Sequence, residues 1–400
     1  MNTKRLGPSA ISVWLLPVIL IFLTACNGIF EVGIEHALTL DQSATSGDLT
    51  PSPRQPGIPT PTPAAPLPGL IYWMDDSLWK ANGGGQPVQI LAHADDGENR
   101  LPAISPDGAY ALYLEKDADL WLADLTTGER RNLTRTPNHT ETNFRWWPAR
   151  PDVILFSSRP QEIRPGPGVT GFLAMAGIDG HGYRVLDDQN HTGGLPAPSP
   201  DGRTIAYGSG STGWLYRWET GPEVFDPADY GLPSYRDAHI GSPSWSPDGN
   251  RLAWIVSGAF ATDGSRQMGV GVFDLEARTV QILHLHEPAF EDGWPAPPAW
   301  SPDGRWLAFT AWAQDPDEAG VWVVRTGGRQ GEEHQSLFTE YHLGGSRPVW
   351  ISNGRWLAFN RDTQDGGTSS WAAQVGTWGL IRFALPPDAY IVDWISPSGD

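Results

Sequence analysis

One short phrase, returning at near-constant spacing, constrains this chain more than any other feature. It reads Pro102-Ala103-Ile104-Ser105-Pro106-Asp107-Gly108, then Pro196-Ala197-Pro198-Ser199-Pro200-Asp201-Gly202, then Pro243-Ser244-Trp245-Ser246-Pro247-Asp248-Gly249, then Pro298-Ala299-Trp300-Ser301-Pro302-Asp303-Gly304. Altered copies fill the remaining intervals. Trp146-Trp147-Pro148-Ala149-Arg150-Pro151-Asp152 keeps a Pro-Asp, Pro348-Val349-Trp350-Ile351-Ser352-Asn353-Gly354 keeps the final Gly, and Trp394-Ile395-Ser396-Pro397-Ser398-Gly399 is the last of the series. Gly108 and Gly399 bracket six intervals averaging about 48 residues, a period that marks a repeat architecture.

Ser-Pro-Asp-Gly is turn chemistry. Proline presets φ at the second position of a β-turn, aspartate suits the third, and glycine takes the left-handed conformation from which a strand restarts. Alternating strands follow, such as Trp306-Leu307-Ala308-Phe309 or Trp356-Leu357-Ala358-Phe359. A second strand comes next, as in Val321-Trp322-Val323-Val324 or Leu120-Trp121-Leu122-Ala123, then a shorter third such as Thr279-Val280-Gln281-Ile282-Leu283. Four strands per unit at this period predict the blades of a β-propeller. Composition agrees, since 46 Gly, 37 Pro and 20 Trp beside only 18% charged residues suit turns and flat packing side chains and argue against an all-α fold.

The two ends of the repeat region complete one another. Leu70-Ile71-Tyr72-Trp73, Leu78-Trp79-Lys80 and Pro87-Val88-Gln89-Ile90-Leu91 make three strands of a blade without its first, and Tyr390-Ile391-Val392-Asp393-Trp394 is a first strand without its blade. Pairing them closes the ring and removes the open edges of a linear array. The expectation is therefore an all-β chain with a single seven-bladed propeller over residues 69–400. Six blades are the alternative, because Gly166, Pro167 and Gly168 stretch the blade led by Trp147. Trp245, Trp300, Trp350 and Trp394 share one repeat position and are expected to pack between blades.

The run Trp300-Ser301-Pro302-Asp303-Gly304-Arg305-Trp306-Leu307-Ala308-Phe309 resembles the WD-repeat-like propeller repeat of the TolB family, and the likeness extends over the whole repeat region. It implies a TolB-like propeller. It does not extend to the small α/β domain that precedes the propeller in that family.

Ahead of the repeats, Lys4 and Arg5 precede a 14-residue apolar run from Ala10 to Leu23, shorter than the roughly 20 residues of a membrane span and suited to the h-region of an export signal. Leu23-Thr24-Ala25-Cys26 then resembles a bacterial lipobox, which implies a signal peptide at 1–25 and lipidation of Cys26. Between Pro51 and Pro68 eight of eighteen residues are proline, so residues 26–68 read as the lipidated cysteine and an extended tether. The expected location is the bacterial cell envelope, lipid-anchored and extracytoplasmic. Cys26 is the only cysteine, which excludes an intramolecular disulfide, a multi-cysteine zinc site and a redox pair. A formal charge of -19 argues against nucleic acid as a partner.

Catalytic motifs are sparse. No Gly-x-Ser-x-Gly elbow, phosphate-binding Gly-x-x-x-x-Gly-Lys loop or His-Glu-x-x-His pair occurs. Five histidines, His93, His139, His191, His239 and His342, fall in connections between consecutive blades, which share one face of a closed ring. They are candidates for a ligand or metal face, or for hydrogen bonds that hold each blade's first strand. Trp294, beside Glu291 and Asp292, is a candidate stacking residue on the same face. The functional expectation is a monomeric, non-enzymatic module, without cofactor or catalytic residue, that binds a protein or glycan at its loop face. The alternative is a metal-dependent lyase or hydrolase of acidic sugars, as in the oligogalacturonate lyases, whose propeller is similar.

Overall fold

In the computed structural model, the described residues are 62–92, 101–115, 119–163, 171–192, 194–209, 212–232, 239–258, 264–288, 296–315, 319–326, 334–338, 347–362 and 367–395. Contacts divide the chain at Thr60, and the unit from Pro61 onward carries all of these. Cys26, the expected export signal and most of the expected tether lie outside them. Among the described residues no helix is long and apolar enough to cross a membrane, and the helical content is one four-residue 3-10 turn, Pro227–Tyr230.

Seven four-stranded antiparallel sheets follow one another as blades 1 to 7. Their inner strands are, in that order, Tyr390–Trp394, Ala103–Ile104, His139–Trp146, Ala197–Pro198, His239–Trp245, Ala299–Trp300 and Val349–Ile351. Blade 1 is the composite foreseen from the sequence: Tyr390–Trp394 pairs with Leu70–Met74, setting Leu70 opposite Trp394 and Trp73 opposite Tyr390, with a bulge after Ile71. Blade 3 carries long strands, including His139–Trp146, Val153–Pro160 and Arg184–Thr192, and the count is seven. Its altered turn is secured from outside, since Arg150 stacks on Trp147 and Trp218 with centroid distances of 4.8 and 4.0 Å. The same Arg150 donates through Nε to the Gly202 carbonyl of the next turn at 3.2 Å.

The intact turns show why the phrase needs its serine. Ser105 Oγ donates to Asp107 Oδ1 at 2.6 Å and accepts from the Tyr110 N–H at 2.9 Å, while Asp107 Oδ1 also takes the Ala109 N–H at 3.0 Å. Ser199, Ser246 and Ser301 repeat the arrangement with Asp201, Asp248 and Asp303. Gly108 sits at φ +72°, where an added Cβ would meet the Ile395 side chain at 2.6 Å.

No blade has a core of its own. The buried apolar residues form seven clusters, each shared by two consecutive blades. Strand alternation feeds them: Ala111 and Tyr113 face blade 1, whereas Leu112 and Leu114 on the same strand face blade 3. Full burial of a leucine such as Leu112 contributes about 1.5–3 kcal/mol. The repeat tryptophans add a directed contact across four of the seven wedges. Trp146, Trp245, Trp300 and Trp350 donate Nε1–H to the carbonyls of Ala103, Ala197, Ser244 and Ala299 on the preceding blade's inner strand, at 2.9, 2.9, 3.2 and 2.9 Å. Trp394 donates instead to Pro68 at 2.9 Å.

Trp245→Phe tests this contact. It keeps an aromatic ring but removes the donor to Ala197, and the expected loss is about 1–2 kcal/mol from the hydrogen bond and the carbonyl left without it. Chemical denaturation followed by tryptophan fluorescence measures the loss, with the midpoint falling at an unchanged slope.

Candidate functional site

A cavity of about 600 Å³ occupies the axis of the ring, lined by residues from the inner strands of all seven blades. Inner strands converge where the circumference is smallest, and their free edges face this channel. Proline suits such an edge because it offers no N–H, and Pro102, Pro198, Pro298 and Pro348 stand there. The repeat position just before the inter-blade aromatic also lines it. Five blades fill that position with small residues, Ala103, Ala197, Ser244, Ala299 and Val349, and two depart, with Arg145 in blade 3 and Asp393 in blade 1. Arg347, beside Pro348 in blade 7, is the third charged residue of the lining.

Two guanidiniums and one carboxylate thus meet in a confined space. Burial, and secondarily the charge of Arg347, pull Arg145 down to about 9, so it remains a cation at neutral pH. Burial pushes the Asp393 carboxyl up, with Arg347 and the Trp394 N–H at 2.8 Å opposing. Among the described residues neither Arg145 nor Arg347 has a hydrogen-bond or ion-pair partner.

The histidines lie elsewhere. His139 and His239 begin the inner strands of blades 3 and 5, opposite Pro160 and Ser257, and His191 lies near the end of blade 3's outer strand, opposite Phe172. These strand ends share the face away from the Ser-Pro-Asp-Gly turns. They are strand residues and not loop residues because the inner strands of blades 3 and 5 run to eight and seven residues. His93, His342 and Trp294 lie outside the described residues. Among those described, no three His, Cys, Asp or Glu side chains group in a way that could hold a metal ion.

What this face does carry is a buried acid network. Asp119 accepts from Asn132 Nδ2 at 2.6 Å and from the Thr136 N–H at 2.9 Å. Glu141, fully buried, accepts from Thr136 Oγ1 at 2.7 Å and from Ser158 Oγ at 3.1 Å, and Ser158 in turn meets the Tyr183 hydroxyl at 2.9 Å. Burial pushes the Glu141 carboxyl up to about 7 against the pull of the two hydroxyls, with Asp119 adding to the rise.

No family model matches the chain. In sequence it is 26% identical over 231 residues to the uncharacterized peptidase YuxL of Bacillus subtilis, a match spanning 54% of this chain and 30% of that protein. The chain therefore spans less than a third of the curated relative it matches. In structure it is similar to a puromycin-hydrolyzing peptidase of Mycobacterium tuberculosis, at TM-score 0.56 and 16% identity over 81% of this chain and 56% of that one. Oligogalacturonate lyase of Vibrio parahaemolyticus gives TM-score 0.55 and 15% identity over 76% and 84%. TolB of Acinetobacter baumannii gives 0.45 and 16% over 83% and 68%. At these identities the structural likeness is one of fold alone, that of a β-propeller.

The expectation of a non-enzymatic module is corrected by these findings. The sequence relative is a named peptidase, and a puromycin-hydrolyzing peptidase shares the fold. The expectation rested on missing catalytic motifs, and missing motifs say nothing about a propeller that receives a substrate without supplying the nucleophile.

Glu141 gives this face a pH signature. Because its folded pKa lies above the ordinary 4.5, the folded state holds a proton that the unfolded chain releases, and stability falls as pH rises from about 4.5 to about 7. Glu141→Gln, which cannot ionise, is expected to flatten that part of the profile in melts taken across the range. A slope unchanged by the substitution refutes the assignment.

Proposed function

We propose that the propeller is the substrate-admitting part of a peptidase-type activity, with the end of a short peptide entering the axial channel. The observation that carries this reading is the channel itself, since a cavity of about 600 Å³ falls within the roughly 300–1,000 Å³ of small-ligand sites. Its lining is mostly apolar and proline-rich, with three charged groups that can orient what enters. The relative named as a peptidase supports peptide as the ligand class. The expected lipobox adds a location to the proposal: Cys26 holds the propeller at the outer side of a bacterial membrane, and the proline-rich tether spaces it from the lipid surface.

Binding of acetylated tripeptides to the full chain, measured by calorimetry, tests the channel. Ala299→Trp places a large ring at a small lining position and is expected to abolish binding while leaving the melting temperature close to the parent's. Peptides that bind the plugged variant as well as the parent would refute the channel as the site, and absence of binding to either would refute the peptide reading. Cys26→Ala is expected to move the protein from the membrane to the supernatant fraction. Retention in the membrane fraction refutes anchoring through Cys26.

A further inference from the structure

The charged residues of the channel are few, and their placement is selective. At the repeat position where five blades carry Ala, Ser or Val, Arg145 projects a guanidinium into the space those small residues leave open. Arg347 enters from blade 7, and the two cations stand close enough for Arg347 to disfavour the charge on Arg145. In the ring order blades 7 and 3 are separated by two blades on the shorter path, so the pair spans the channel instead of sharing one wall.

Such an arrangement is unfavourable when empty. A buried or half-buried cation ordinarily has an anionic or carbonyl partner, and among the described residues neither guanidinium has one. Asp393 meets that need only in part, since Arg347 favours its charged form while burial disfavours it. Its Oδ1 takes the N–H of its own neighbour Trp394, and it forms no ion pair with either arginine. The lining therefore holds at least one cation in excess, in a chain whose formal charge is -19. A planar guanidinium offers paired donors matched to the two oxygens of a carboxylate.

The geometry points to a carboxylate-binding subsite in the channel, with Arg145 and Arg347 gripping one carboxylate from opposite walls. This rests on the reading of the channel as a peptide site, where the group bound is the C-terminal carboxylate and the rest of the peptide lies along the apolar, proline-lined wall. The same chemistry would also fit the carboxylate of a uronic acid.

The test compares acetylated tripeptides as free acids and as C-terminal amides, with digalacturonate as a third arm, all titrated into the full chain. Free acids are expected to bind about tenfold to a hundredfold more tightly than their amides, the difference made by charge-assisted hydrogen bonds. Arg145→Gln and Arg347→Gln are each expected to remove that preference, leaving acid and amide equal. Arg145→Leu, free of the unpaired charge, is expected to melt at or above the parent temperature, which separates loss of binding from loss of fold. Equal binding of acid and amide to the parent overturns the subsite while leaving the peptide channel in place. Binding of digalacturonate without binding of any peptide acid, lost in both arginine variants, upholds the subsite and overturns the peptide reading. No binding of any carboxylate overturns both.

Discussion

A ring of sheets has no core until it closes. Among the described residues every apolar cluster lies between two blades, so each sheet owes its buried surface to both neighbours, and an unpaired terminal blade would expose one whole face. The pairing of Tyr390–Trp394 with Leu70–Met74 removes that defect by joining strands more than three hundred residues apart in sequence. Closure also fixes angles. Trp146, Trp245, Trp300 and Trp350 each reach a carbonyl of the preceding inner strand, a contact that holds only if consecutive blades keep the same inclination. At the other wedges the shared apolar clusters join the blades without this contact.

The channel follows from the same constraint. Seven inner strands brought to a common axis each leave one edge unpaired, and a solvent-filled centre is where an unpaired edge costs least. Small residues and prolines answer the geometry at most positions. Arg145, Arg347 and Asp393 do not, since nothing in closing the ring calls for charge there. Departures from a repeat at positions where packing would accept alanine are the places where a scaffold shows a second demand, and here all such charges face one cavity.

Much of this was legible in the sequence. Turn chemistry, strand order, closure through residues 390–394 and the packing role of Trp245, Trp300 and Trp350 all followed from local rules repeated often enough to be read by comparison. Blade 3 read as doubtful because its turn lacks the Ser-Pro-Asp-Gly phrase. Arg150 restores the turn through contacts with Trp218 and Gly202, residues of the next blade that no local pattern connects to it. The charged channel was within reach, since aligning the copies sets Arg145 and Asp393 against Ala103, Ala197 and Ala299. The Asp119 and Glu141 network was not legible, because it joins the outer strands of blade 2 to the inner strands of blade 3 and depends on burial that only the assembled ring creates. Activity was least legible, since a propeller's fold supplies walls and edges and leaves the reacting groups unspecified.

The contrast between an acidic exterior and a cationic channel has an electrostatic consequence. A carboxylate approaching a surface of this net charge is repelled, and that repulsion acts over distances that salt screens, with a Debye length of about 8 Å at physiological ionic strength. In the proposed subsite the separation between carboxylate and guanidinium would be a contact distance, where screening by salt is weak. Added salt therefore weakens the outer repulsion more than the inner attraction. A surface patch of arginines would lose affinity for anions as salt rises, whereas the proposed recessed pair in a chain of net negative charge would keep more of it. Under the proposed subsite, the recessed placement of Arg145 and Arg347 would favour anions able to enter, because a carboxylate would meet both guanidiniums together after passing the proline-lined wall.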